Sequence, residues 1–127
     1  MGMIYAVNTG TQTVASGGVI SFPQIVRSCG NNVRMSGGNV AVQGSGLYGI
    51  DSNFTFTAGA GTATIALYKD GIAIPGAVAS VSAAANTTYS ISIPAVIRQS
   101  CCVESIITAV ATGTALSVTN AAIKVAK

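Results

Sequence analysis

Between Gly46 and Gly76 the chain reads GLYGIDSNFTFTAGAGTATIALYKDGIAIPG, with apolar residues at every second position. Tyr48, Ile50, Phe54, Phe56 and Ala58 share one face, and Gly49, Asp51, Asn53, Thr55 and Thr57 the other. Only Ser52 interrupts the apolar row. Successive side chains of an extended backbone point to opposite faces, so a period of two predicts a half-buried antiparallel strand. Gly59-Ala60-Gly61 breaks the pattern, and Ala63, Ile65 and Leu67 then resume it opposite Thr62 and Thr64. Asp70-Gly71 follows at once. A tight type I′ hairpin turn needs positive φ at both central residues, which this pair tolerates. Pro75 lacks a ladder donor, so the return strand ends there or lies at a sheet edge.

The same reading extends along the chain. MIYAV (3–7) and GVISF (18–22) read as strands, and NNVRMSGGNVAVQG reads as two short strands around Ser36-Gly37-Gly38. TTYSISI (87–93) alternates strictly, with Tyr89, Ile91 and Ile93 opposite Thr88, Ser90 and Ser92. VESIITAVAT (103–112) and ALSVTNAAIKVAK (115–127) close the chain around a turn at Gly113-Thr114. The apolar phase slips between Val118 and Ile123, which predicts a bulge near Asn120. SVSAAANTTY offers a turn and no helix longer than one turn. The expectation is an all-β antiparallel sandwich of about 8–10 short strands, forming a single domain over 1–127.

Charge sharpens this picture. Only 7% of residues are charged, against roughly a quarter in ordinary globular domains. Apolar residues exceed what one core needs, so the expectation is that identical copies bury the excess together. The net charge of +3 contains no basic run and no basic-aromatic interleaving, which argues against nucleic acid as a partner. No apolar run approaches the ~18 residues of a membrane-spanning helix, so no membrane partner is expected. The N-terminus lacks the basic segment and apolar core of a secretory signal. The chain reads as starting at its own Met and being made in the cytoplasm.

Candidate chemistry is sparse. The chain has no histidine, so Ser-His and Cys-His pairs cannot form within it. Asp51, Asp70 and Glu104 are too dispersed to suggest an acid/base pair or a calcium site. Lys69 beside Asp70 reads as a hairpin flank. SGGNVAVQGSG lacks the Gly-Lys-Ser/Thr ending of a phosphate loop. No catalytic, cofactor-binding or metal-binding residue is assigned, and no enzyme activity is expected. Three cysteines without a secretion signal argue against a disulfide framework. Cys101 and Cys102, adjacent on a strand, would face opposite ways, one inward and one toward a neighbouring copy. Tyr48 and Tyr89 are in phase with the core. Tyr68, opposite Leu67, is an interface candidate, together with Cys101, Cys102, Ile106 and Val110.

Gly46, Tyr48, Phe54, Phe56, Leu67, Asp70, Gly71 and Pro75, followed by CVESIITAVATGTALSVTNAAIKVAK, give the chain its resemblance to the tumour-necrosis-factor-like jelly roll. That superfamily includes the globular heads of the first complement component and the heads of bacterial collagen-like proteins. The resemblance covers residues 4–127 and implies a compact homotrimer. No Gly-x-y stalk precedes the domain, which departs from the collagen-borne heads. A jelly roll with this composition also resembles the small proteins that decorate phage heads. That likeness implies a capsid decoration protein on the virion exterior, bound to the major capsid protein or another surface lattice. An anchoring arm over 1–13, or the strand-end loops, would then hold it. The alternative is a trimeric head on a fibre, spore coat or cell surface that binds a receptor, a glycan or a host surface.

Overall fold

The computed structural model describes residues 2–30, 32–100 and 103–127, and every regular element among them is a strand. In chain order these are β1 (Met3–Asn8), β2 (Gln12–Val14), β3 (Gly18–Ile20), β4 (Gln24–Cys29), β5 (Val33–Ser36), β6 (Asn39–Gln43), β7 (Gly46–Ala58), β8 (Gly61–Lys69), β9 (Ile72–Ala83), β10 (Thr87–Gln99), β11 (Glu104–Gly113) and β12 (Leu116–Ala126). They form two antiparallel sheets. Sheet A runs β10-β7-β12-β1-β4 with β2 also on β12; sheet B runs β5-β6-β11-β8-β9 with β3 also on β11.

The expected 8–10 strands become twelve because β2 and β4 lack a readable pattern. β2 is only three residues long, and β4 overhangs the sandwich with all six residues exposed. Alternation marks a strand only when one face is buried. Within the stretch offered as an arm, Met3–Asn8 is β1, an interior strand of sheet A with Ile4 and Ala6 fully buried.

β7 follows the predicted alternation closely. Tyr48, Ile50, Phe54 and Phe56 are all at most 1% exposed. Ser52 keeps its place in that row because its hydroxyl donates to the Ile93 carbonyl at 2.8 Å, which satisfies a polar group that burial would otherwise penalise. Opposite β7, sheet B supplies Ile65, Leu67, Ile107 and Ala109. Phe22 packs on Phe54 with ring centroids 6.0 Å apart, and Tyr89 leans on Phe56 at 6.1 Å. Each large side chain so buried contributes roughly 1.5–3 kcal/mol. One copy therefore buries 31 apolar residues outright, about half of its apolar composition.

Turns and irregularities follow local chemistry. Asp70 and Gly71 have φ of 53° and 81°, as a type I′ turn requires. Pro75 and Pro94 both lie inside strands, but β9 and β10 are the edge strands of their sheets, so no ladder partner is lost. The expected bulge falls between Val118 and Asn120, and the Thr119 hydroxyl donates to the Thr55 carbonyl at 3.2 Å. The turns at 15–17, 59–60, 84–86 and 114–115 each carry the chain from one sheet to the other. At the opposite end, the Lys127 amide donates to the Gly2 carbonyl at 2.9 Å and holds the two chain ends together.

Candidate assembly surfaces

The outward residues of the two sheets define surfaces of different chemistry. On sheet A, register aligns Thr88, Thr57, Ser117 and Thr13 in one row across four strands. The next row holds Ser90 and Thr55. Cross-strand hydroxyls pair weakly here, with Thr57 Oγ1 and Thr55 Oγ1 each 3.4 Å from their partners on β10. Nearer the end that holds the termini runs the row Pro94, Asp51, Lys124, Tyr5 and Arg27. Lys124 Nζ stands 3.5 Å from Asp51 Oδ2, both well exposed, so this pair contributes little to stability. Around it lies an open concavity of about 430 Å³ lined by Tyr5, Asp51, Asn53, Ser92, Pro94 and Lys124.

On sheet B, Val19, Val110, Ala66 and Val78 align across four strands. Tyr68 pairs with Thr108 beside them. Three of the sequence-derived interface candidates, Tyr68, Ile106 and Val110, therefore share one outer face, all half-buried. Cys101 and Cys102 lie outside the described residues.

A third surface was not marked in the sequence. The edges β9 and β10 flank a groove of about 350 Å³ lined by Ile72, Ile74, Pro75, Val96 and Ile97, with Lys69 and Arg98 at its rim. Ile72 is 74% exposed and Val96 67%, and Leu47 beside Arg98 is 63% exposed. The strands belong to different sheets, so no local pattern joins them. The one available signal was Val96, an apolar residue out of phase with the buried Ile93 and Ile97 of its strand.

The three carboxylates are already engaged. Arg34 grips Glu104 through two nitrogens, at 2.7 and 3.1 Å, and ties β5 to the start of β11. Asp70 Oδ1 accepts the Ile106 amide at 2.9 Å, while its own amide donates to the Ile106 carbonyl at 3.0 Å. The Ile106 amide first, then a hydrogen bond from Ser105 and the charge of Lys69, hold the Asp70 carboxyl below its ordinary range against a small opposing effect of burial. With Asp51 facing Lys124, each of the three carboxylates has a structural partner. Among the described residues no group of three metal-ligating side chains converges. Among the described residues there is no helix long and apolar enough to cross a membrane. Cys29 is an exposed free thiol.

No protein-family model matches the sequence, and no curated protein sequence matches it. Solved structures do match in fold. Murine APRIL at pH 5.0 superposes with a TM-score of 0.78 over 99% of this chain and 98% of that one, at 17% identity. The globular domain of zebrafish complement 1qA protein gives 0.75 over 99% and 96%, at 8% identity. The PRD1 vertex protein P5 gives 0.61 over 99% and 96%, at 17% identity. The chain thus has the fold of the tumour-necrosis-factor-like and complement-head-like jelly rolls.

Proposed function

We propose that this jelly roll is a non-enzymatic structural protein that assembles as a homotrimer and decorates the exterior of a phage capsid, cementing the shell through the major capsid protein. The observation that carries the reading is a surface equipped for packing rather than for reaction. Its three carboxylates are held by structural partners, while Ile72, Val96 and Leu47 gather exposed beside one edge groove. Covering that groove with a second copy removes the most exposed large apolar side chains from water, at ~25 cal/mol per Å². A groove that meets a different surface on the next copy makes a head-to-tail contact, and such contacts close into a ring when the rotation between copies is a third of a turn. The fold shared with a viral vertex protein supports the capsid setting.

A second reading, a trimeric head that binds a receptor or glycan, draws on the concavity on sheet A. Tyr5 and Pro94 offer an apolar platform there, beside Asp51, Asn53 and Lys124. Light scattering coupled to sizing tests the common premise: the decoration reading expects three times 12.6 kDa, and a single-chain mass at micromolar concentration overturns both. Sedimentation with undecorated capsids and with host envelopes then separates the two. Binding to envelopes alone rejects the capsid assignment.

A further inference from the structure

Register gathers the charges into one half of the molecule. The six basic and three acidic residues all lie at or beyond the level of the row Pro94–Asp51–Lys124–Tyr5–Arg27, toward the end that holds the termini. Arg98 and Lys127 lie further along sheet A. Lys69, Asp70, Arg34 and Glu104 occupy the same end of sheet B. The other half, whose outer faces are mostly Thr, Ser, Asn, Ala and Val with Gln24 and Ile25 exposed on β4, carries no charged side chain. It is closed by the four sheet-crossing turns at 15–17, 59–60, 84–86 and 114–115. These contain only Gly, Ala, Ser, Thr and Asn86, and all but Thr114 are exposed.

A water-facing half without charge is unusual when about a quarter of residues in ordinary domains are charged, and the core of a protein interface is depleted of charge in the same way. The energetics point in one direction. Burying Gly or Ala costs no side-chain entropy, whereas immobilising a Lys or Arg costs up to ~2 kcal/mol in addition to its desolvation. We infer that the charge-free end, with its four crossing turns, is the end that seats on the shell, against a likewise uncharged, small-residue patch of the shell protein. The charged end, with both termini, faces solvent. This assignment rests on the capsid-decoration reading and adds its polarity.

The test uses shells assembled with the gene for this chain deleted. Purified wild-type protein is mixed with them and sedimented at about 0.05 M and about 1 M NaCl, beside Ala60→Glu, Ala60→Lys and Ser45→Glu. Ala60 lies in a crossing turn and Ser45 at the charged end; both are exposed. Mass and thermal midpoint, measured on each sample, confirm that each variant is folded and assembled. Wild type and Ser45→Glu are expected to sediment equally at both salt concentrations. Both Ala60 variants, of opposite sign, are expected to lose binding at least tenfold. Normal binding by the Ala60 variants, loss by Ser45→Glu, or release of wild type by salt overturns the polarity and leaves decoration standing. Wild type that binds no shell at either salt concentration overturns decoration itself, and the polarity with it.

Discussion

Asp70 combines two devices in one residue, and substitution can separate them. Its φ of 53° lies in the left-handed region, where an alanine costs about 1–2 kcal/mol that glycine avoids. Its carboxylate also accepts the Ile106 amide at 2.9 Å. A hydrogen bond to a charged group contributes about 1.5–3 kcal/mol when desolvated, but Asp70 is exposed, so about 0.5–1 kcal/mol is appropriate. Asp70→Ala loses both devices and should destabilise by about 1.5–3 kcal/mol. Asp70→Gly keeps the backbone freedom and should lose about 0.5–1 kcal/mol. Asp70→Asn keeps the conformation and an acceptor oxygen and should be the mildest. The native carboxyl titrates below its ordinary value. As pH falls below ~4, the unfolded chain therefore takes up a proton before the native one, and the stabilisation fades as pH passes through the lowered native value. Urea midpoints at fixed protein concentration, followed by tyrosine fluorescence at pH 7 and pH 3, should rank wild type, Asn, Gly and Ala in that order. The gap between wild type and Asn should shrink at pH 3. Equal midpoints for Gly and Ala would refute the backbone argument, and a gap that widens in acid would refute the carboxylate argument.

Other outcomes follow from the same geometry. Phe54→Ala empties a fully buried site between the sheets and should cost about 3–5 kcal/mol in denaturant unfolding. Gly113→Ala should destabilise or fail to fold, since φ is 89° and the added methyl meets the Thr62 carbonyl; thermal melting of the purified variant decides. Val96→Lys places a third cation beside Lys69 and Arg98 in the edge groove. It should reduce the scattering mass toward a single chain while the circular dichroism spectrum stays β-rich. Lys124→Ala removes an exposed ion pair and should change stability by less than about 1 kcal/mol.

What could be read from the sequence depended on whether a residue's neighbours were close in the chain. β7 was legible because its whole partner surface lies on one side, so burial imprinted period two on thirteen residues. The Asp70-Gly71 hairpin was legible because the backbone itself demands those residues. β4 left no imprint, because both its faces meet water. Tyr68, Ile106 and Val110 were recognisable as outward residues, but their convergence depends on the pairing of β8 with β11, about 40 residues apart. The edge groove and the gathering of charge were invisible for the same reason. Residues as distant as Arg27 and Lys124 share a level only through strand register, which no single strand encodes.

The hydrogen bond between Lys127 and Gly2 makes the chain nearly a closed loop. A linker of a few residues should join the two ends without disturbing β1 or β12, and new ends could be opened at Ser45 on the same side. A reporter or enzyme fused to either terminus would then emerge beside the other, at the end opposite the crossing turns. On the proposed trimer this would give a three-armed display platform.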